Sequence, residues 1–432
     1  MTALAELPLT RLEALEADLA DAHRRGCAQG RRLDLTRGKP APDQLDLSAP
    51  MDGILGGDYR AADGSDVRNY GHVRGLAEAR DLGAELREVP AAQVICWGNS
   101  SLTLMHLVLD TAMRDGLWGD QRRWSRSARP RMLAPVPGYD RHFALAEALG
   151  IGLVPVPMTD VGPDPDAMTR LAAENDDIKG IWCVPRYANP TGCTYSPGVV
   201  AALAELPARA AADDFVVMWD NAYAVHHLTL PPEPLAPVMA LAEAAGTADH
   251  VAVFGSTSKI TYAGGGLGFM AASPRVLDTV AARLASFSIG PDKVNQLRHV
   301  RFLSGRLAEH MAAHAALLRP KFELVEQALR DGLGGLDIAR WTTPRGGYFV
   351  SLDTRPGLAR ETARLASQAG LDLTPPGSTF PGGHDPEDRN LRIAPTFAGL
   401  NDLAAAMEIL VLCVKLASIR AEIEQRKEIE RK

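Results

Sequence analysis

Between about residues 90 and 275, short and almost wholly apolar runs alternate with longer stretches of helical periodicity. The runs are Val94-Ile95-Cys96-Trp97, Arg131-Met132-Leu133-Ala134, Gly152 to Val156, Gly180 to Val184, Phe215 to Trp219 and Val251 to Phe254. A run that does not alternate with polar residues has no face to give to water, so it belongs in a sheet covered on both sides. Ala-rich helical segments such as Val199 to Ala212 separate some of the runs. Strand, helix, strand in repetition predicts an α/β fold on a parallel or mixed sheet.

The polar residues that carry chemistry sit just after these strands: Asn99 to Ser101, Pro137 to Arg141, Asn189 to Gly192, Asp220 to Tyr223 and Ser256 to Lys259. In open α/β sheets, ligands bind beyond the carboxyl ends of the strands, so five clusters at one edge predict one site. After about residue 310 the pattern changes. A long Ala/Leu helix leads to Gly346 to Leu352, a turn-rich stretch around Pro375 to Asp388, and a short strand at Asn390 to Ala394. A helix from Asn401 onward ends in what reads as a mixed-charge solvated tail. The expected organisation is an N-terminal segment (1–48) joining a smaller α+β domain (311–432), with a large domain at 49–310 between them.

Composition narrows the function classes. A net charge of −7 argues against nonspecific nucleic-acid binding. Five cysteines without a C-x-x-C pair read as free thiols in a reducing compartment, with Cys193 a bystander beside a motif. Met1 to Ala22 has the pattern of a charged amphipathic helix rather than a signal peptide. No stretch approaches the ~20 apolar residues of a membrane span. A cytoplasmic enzyme is expected. His226 and His227 have no carboxylate or cysteine cluster beside them, and neighbours in a strand point to opposite faces. No metal is expected.

Lys259 stands in Gly255-Ser256-Thr257-Ser258-Lys259, ahead of Gly264-Gly265-Gly266. Hydroxyls can hold a phosphate and a desolvated amine can attack a carbonyl, a combination suited to a phosphorylated aldehyde. Taken alone, a surface lysine in a polar loop is the commoner reading. The glycine run lacks the G-x-x-x-x-G-K-[ST] pattern of a nucleotide loop. Pyridoxal phosphate would need an anion beside its ring nitrogen and donors at its ring oxygen. Asp220 is the candidate anion, with Asn189 and Tyr223 in suitable post-strand loops.

Asn189-Pro190-Thr191-Gly192, Asp220-Asn221-Ala222-Tyr223 and Ser256-Thr257-Ser258-Lys259, in that order, resemble the class I, fold-type I aminotransferases. The likeness extends to Gly38, Tyr70, Pro137-Gly138-Tyr139 and Arg392, nearly the whole chain. Gly98-Asn99-Ser100-Ser101 and Thr36-Arg37-Gly38-Lys39-Pro40 resemble a divergent aspartate aminotransferase subgroup, one also labelled with the aminotransferase-like domain of MocR regulators. The resemblance implies a mainly parallel seven-stranded sheet sandwiched by helices, pyridoxal 5'-phosphate as cofactor, and a homodimer with shared sites. It implies that Lys259 holds the cofactor aldehyde covalently and then moves the substrate proton. Asp220 would pair with the ring nitrogen, Asn189 and Tyr223 with the ring oxygen, and Tyr139 would stack on the ring. Ser100, Ser101, Ser256 and Ser258 would surround the phosphate, with Tyr70 reaching it from the neighbouring subunit. Arg392, with Gly38 and Asn189, would bind the substrate α-carboxylate.

One departure from the resemblance stands out. Ile260 to Gly268 contains no basic residue where many relatives carry a phosphate-binding arginine. Hydroxyls and a helix terminus, worth roughly half a charge, would have to compensate, or another cation would have to approach. The expected activity is ping-pong transfer of an α-amino group between aspartate or glutamate and a 2-oxo acid. Arg141 is the candidate for the distal carboxylate, with Lys39 and Arg74 behind it. Other fates on the same scaffold are an aromatic or kynurenine aminotransferase, or a β-lyase. A DNA-binding regulator would need a module ahead of Leu33, where only about thirty residues stand.

Overall fold

A computed structural model describes residues 4–431. Its strands are β1 (Leu33–Asp34), β2 (Val94–Cys96), β3 (Arg131–Val136), β4 (Gly152–Thr159), β5 (Gly162–Pro163), β6 (Ile178–Cys183), β7 (Val216–Asp220), β8 (Val251–Ser256), β9 (Gly268–Ala271), β10 (Ala339–Trp341), β11 (Val350–Thr354), β12 (Leu371–Asp372) and β13 (Asn390–Ile393). Its α-helices begin with α1 (Leu9–Ala28), α2 (Pro42–Asp46), α3 (Ala77–Arg87), α4 (Ser101–Arg114), α5 (Asp140–Ala148) and α6 (Pro165–Glu174). They continue with α7 (Pro197–Arg209), α8 (Val238–Ala245), α9 (Pro274–Ala285), α10 (Lys293–Leu303), α11 (Leu307–Leu333), α12 (Ala359–Gln368) and α13 (Leu400–Glu430).

Each apolar run becomes a strand of one large sheet, ordered β2-β9-β8-β7-β6-β3-β4-β5. Strands β8, β7, β6, β3 and β4 are parallel, and β9 runs against both β8 and β2. Seven of these strands carry the fold. The eighth, two-residue β5, merely folds back on the end of β4. Side chains alternate across the sheet, as Cβ geometry requires. Val217, Trp219, Val251 and Val253 face a core shared with α3, α7, α8 and α10. Val216, Met218, Ala252 and Phe254 face a second core shared with α4 and α9. Both faces are therefore covered, which is why the runs lack polar residues.

Strand β9 is the element that sequence patterning misses. Gly268 to Ala271 reads as the tail of the glycine-rich loop, and no helical crossover announces it. It returns directly from β8, so the Lys259 loop is the connection of an antiparallel pair.

The remaining core gathers α1, α11, α12 and α13 around the antiparallel sheet β10-β11-β13 and the parallel pair β1-β12. Leu33 pairs with Leu371 and Asp34 with Asp372, which ties the N-terminal segment to chain more than three hundred residues later. Helix α11 runs unbroken across residue 310. Glu428 to Arg431 are solvent-exposed, as the mixed charges of the chain end suggest. Helix α13 continues to Glu430, with Arg426 Nη1 donating to Leu7 O at 2.6 Å and Lys427 paired with Glu13 at 2.7 Å. No helix among the described residues is long and apolar enough to cross a membrane.

Packing of α3 on the sheet is close enough to test. A Cβ on Gly83 would lie 2.5 Å from Phe269 Cδ1 and 3.0 Å from Val94 Cγ1, both on fully buried residues. Glycine to alanine inside a helix normally stabilises by ~1 kcal/mol, whereas overpacking a core costs ~1–3 kcal/mol. Gly83→Ala should therefore lose up to about 2 kcal/mol in urea unfolding. A raised midpoint would mean that Phe269 can move aside.

Candidate active site

Lys259 sits in one isolated helical turn between β8 and β9. The amides of Ile260 and Thr261 both donate to Thr257 O at 2.8 Å. Thr257 Oγ1 accepts from Leu267 N at 2.8 Å and closes the loop onto the start of β9. A turn this short leaves its last carbonyls without backbone donors. Side chains from distant elements supply them. His226 Nε2 donates to Lys259 O at 3.2 Å, and His310 and His314 both donate through Nε2 to Ile260 O, at 2.6 and 2.9 Å. Tyr348 OH donates to Lys259 O at 3.4 Å and accepts from Gln44 Nε2 at 3.0 Å. Burial pushes His226 down to about 3 and His314 to about 4, so both stay neutral.

The Lys259 amine lies 5.1 Å from the Tyr223 ring centroid and 5.9 Å from that of Tyr348. Burial lowers its pKa, against a smaller opposing pull from Asp220. Asp220 ends β7 and is 3% exposed. Its Oδ2 accepts from His142 Nε2 at 3.0 Å, while its Oδ1 is buried without a protein partner. His142 is itself stacked on Trp182, with ring centroids 4.2 Å apart and planes 9° apart. It meets Tyr139 edge-on at 4.9 Å. Burial raises the Tyr139 hydroxyl to about 12 and holds the Tyr223 hydroxyl well above its usual value, so both remain protonated donors.

Two adjoining cavities meet at these residues. The first, of about 230 Å³, is lined by Ser100, Ser101, Tyr139, Asn189, Asp220, Tyr223, Ser256, Ser258 and Lys259. Ser100 caps α4, accepting from Thr103 N at 3.4 Å, so the helix N-terminus opens at this cavity. Ser258 Oγ donates to Asn99 O at 2.9 Å and joins the two serine loops. Lys259 is the one cation in this lining.

The second cavity, of about 490 Å³, shares Tyr139, Asn189, Tyr223 and Lys259 and adds Thr36, Arg37, Gly38, Lys39, Asp140, Arg141, Phe349, Thr374 and Arg392. Arg392 lies on β13, is 7% exposed, and has its guanidinium carbon 5.0 Å from the Phe349 ring centroid. Gly38 must be glycine here, because a Cβ would lie 2.5 Å from Phe349 Cζ.

Most of the sequence-derived residues thus converge, but not all. Arg141 is exposed at the wall of the second cavity, one residue into α5. Lys39 lines the same cavity with its amine 3.8 Å over the Phe397 ring, whereas Arg74 lies outside it, paired with Asp278. Tyr70 is 77% exposed and outside both cavities of its own chain. Cys193 is half-buried, and its thiol is raised to about 11. All five cysteines are unpaired.

Sequence reasoning missed His142, although it follows Tyr139 by one helical turn, the spacing that places two side chains on one face. It also missed Asp140, Arg37 and Thr374. His226, for which the sequence offers no ligand cluster, is buried and braces the Lys259 backbone. His226 and His227 lie in a turn with an isolated bridge rather than in a strand.

A lysine amine enclosed beside an unpaired carboxylate oxygen is an arrangement that favours chemistry over stability. Because burial lowers the Lys259 pKa, the unfolded chain binds this proton more readily, and the penalty grows as pH falls below the ordinary lysine value of 10.5. Lys259→Met should therefore stabilise the cofactor-free protein by about 1 kcal/mol at pH 7. Its advantage over wild type should shrink as pH rises toward 10.5. Urea unfolding of both proteins at pH 7 and 9.5 measures it, and an advantage that does not change with pH would contradict the assignment.

The sequence profile of the family described as aspartate amino-transferase matches residues 8–426. A putative aminotransferase of Mycolicibacterium smegmatis is 48% identical over 397 residues, covering 90% of this chain and 92% of that protein. An aspartate aminotransferase of Corynebacterium glutamicum is 42% identical over 390 residues, 90% of each. The crystal structure of an aspartate transaminase from Corynebacterium glutamicum superposes with a TM-score of 0.94 at 39% identity, covering 97% of this chain and 99% of that one. Family motifs in order, on a fold that brings them to one sheet edge, lead to one conclusion: the chain belongs to the aspartate amino-transferase family and is a fold-type I aminotransferase.

Proposed function

We propose that this aminotransferase uses pyridoxal phosphate and acts on dicarboxylic amino acids, aspartate or glutamate, with a 2-oxo acid as acceptor. The observation that carries the substrate class is the charge of the second cavity. Arg37, Lys39, Arg141 and Arg392 line it against the single carboxylate of Asp140. An amino acid brings one α-carboxylate, which Arg392 can take in a bidentate pair. The surplus cations suit a second carboxylate.

The first cavity fits the cofactor. The unpartnered Asp220 Oδ1 is a buried acceptor aimed at a position where a ring N–H would satisfy it, and an orphaned buried acceptor otherwise costs ~1–3 kcal/mol. At the other end, four serines and the α4 N-terminus form a phosphate cradle without an arginine. Pyridoxal phosphate, when bound, supplies an aldehyde to capture the amino group and a protonated ring to withdraw electrons from Cα.

The chain's own groups do the rest. Asp220 would face the ring nitrogen, held in line by His142, which is fixed in turn by its stack on Trp182. Asn189 and Tyr223 would hold the ring oxygen and Tyr139 would lie against the ring, since all three line this cavity. Lys259 Nζ, whose neutral form burial favours, accepts the substrate Cα proton. Its backbone, braced by four side chains, keeps that amine from drifting. Tyr70 is exposed near Phe287 and Ile289, which are 56% and 64% exposed, and Gly71 N donates to Ile289 O at 3.2 Å. This patch suits a homodimer in which each subunit lends Tyr70 to the other's phosphate. Five free thiols suit the cytoplasm.

Incubating the cofactor-loaded protein with aspartate and 2-oxoglutarate tests the reading. Oxaloacetate and glutamate should form, with the cofactor absorbance shifting on aspartate alone and returning on 2-oxoglutarate. Ammonia and pyruvate would mean a lyase, and turnover of kynurenine or aromatic donors in preference to aspartate would overturn the substrate class.

Arg141 offers a sharper test. A buried distal pair would imply a loss of two to three orders of magnitude on truncation, from ~3–5 kcal/mol. Because Arg141 is exposed in this structure, solvent screening reduces the effect. Arg141→Ala should lower kcat/KM for aspartate by roughly tenfold while sparing alanine. Equal losses for both amino acids would remove Arg141 from the distal site.

A further inference from the structure

Within the chain itself, Arg392 has a partner at every guanidinium nitrogen. Nε donates to Thr374 Oγ1 at 3.3 Å, and Nη2 to Thr374 Oγ1 at 3.2 Å and Thr36 O at 3.4 Å. Nη1 donates to Asn189 Oδ1 at 3.4 Å and to Asp140 Oδ1 at 3.0 Å. Four of these five bonds go to neutral oxygens and are long. The shortest goes to a carboxylate, and Asp140 is the one acid in an ion pair with Arg392 among the described residues.

The two partners differ in freedom. The Arg392 side chain is 6% exposed and clamped by β13, Phe349 and Thr374, while the Asp140 side chain is 32% exposed. Asp140 is the first residue of α5, where the helix N-terminus stabilises a carboxylate in any rotamer it adopts. Arg141 follows it, and Arg37 and Lys39 line the same 490 Å³ cavity. A carboxylate leaving Arg392 therefore keeps favourable surroundings. An arriving carboxylate, by contrast, finds no unclaimed N–H on Arg392 unless a partner yields.

We propose that Asp140 is an internal place-holder for the substrate α-carboxylate: it neutralises Arg392 when no substrate does so and swings away when one binds. This inference rests on reading the Arg392 cavity as the α-carboxylate site. It has a physical rationale. A buried guanidinium left bare would be strongly destabilising. Exchange of one carboxylate for another keeps the Arg392 guanidinium paired throughout, and the binding energy becomes a difference between two ion pairs. Affinity is moderate as a result, and the product carboxylate, which faces the same competitor, can leave. Asp140 is thus a residue that sets substrate affinity and takes no part in moving the proton.

The test is binding of maleate, a dicarboxylate without an amine, to the cofactor-loaded protein by calorimetry, with acetate as the monocarboxylate probe. Asp140→Asn and Asp140→Ala should each tighten maleate by roughly three- to tenfold, the worth of a partly exposed ion pair. Acetate should tighten by a similar factor, because displacing Asp140 costs the same for either ligand. A role in holding Arg392 in place makes the opposite forecast, with Asp140→Ala weakening both ligands and Asp140→Asn largely restoring them. In a crystal structure with maleate, Asp140 should lie beyond hydrogen-bond distance of Arg392. Unchanged or weaker binding by both variants, or a complex in which the Asp140–Arg392 bond persists, would overturn the inference while leaving the cavity's assignment intact. Wild-type protein that binds neither maleate nor 2-oxoglutarate would instead overturn the assignment, and the inference with it.

Discussion

The parallel register of β6, β7 and β8 is the constraint on which the rest of the site depends. Cys183 lies beside Trp219, and Asp220 beside Phe254. Because all three strands point the same way, their following loops leave from one edge, carrying Asn189, Tyr223 and Lys259 toward a common volume. An antiparallel neighbour in that position would have sent one of these loops to the far side of the sheet. The reversal at β9 returns the chain immediately and pins the Lys259 loop at both ends.

Charge in the site is arranged as two pairs, one wholly buried and one partly exposed. Asp220 uses one oxygen on His142 and leaves the other free to accept, a poise that His142 can maintain only because Trp182 fixes its plane. Arg392 is fully claimed within its own chain, and the partner at its shortest bond is partly exposed. The first pair is walled in on every side, whereas the second has one partner open to water. Both adjoin the cavities that Lys259 lines, and burial there discourages charge on its amine.

Support for the lysine comes from remote parts of the chain. His310 and His314 come from α11, Tyr348 from the segment before β11, and Gln44 from α2. These side chains satisfy carbonyls that a single helical turn cannot satisfy itself. The N-terminal segment and the chain beyond residue 307 therefore touch the catalytic loop directly. None of this was legible in the sequence, because a histidine in an Ala-rich helix carries no mark of which carbonyl it will meet. The same holds for Asp140, which reads as an ordinary acidic residue in a first helical turn.

What the sequence determined by itself was the sheet and the identity of the reactive groups. Unbroken apolar runs demand burial on both faces, and the ordered motifs from Gly38 to Arg392 name the family. The four serines singled out around Lys259 and at the start of α4 do line one cavity. Tertiary structure decided everything that depends on which partner a polar group finds. It brought His142 to Asp220, removed Arg74 from the substrate wall to Asp278, and docked the C-terminal helix on the first residues. The physical reason is common to all three. Hydrophobic periodicity is local and survives in any context, whereas hydrogen bonds and ion pairs are settled by geometry between residues far apart in the chain.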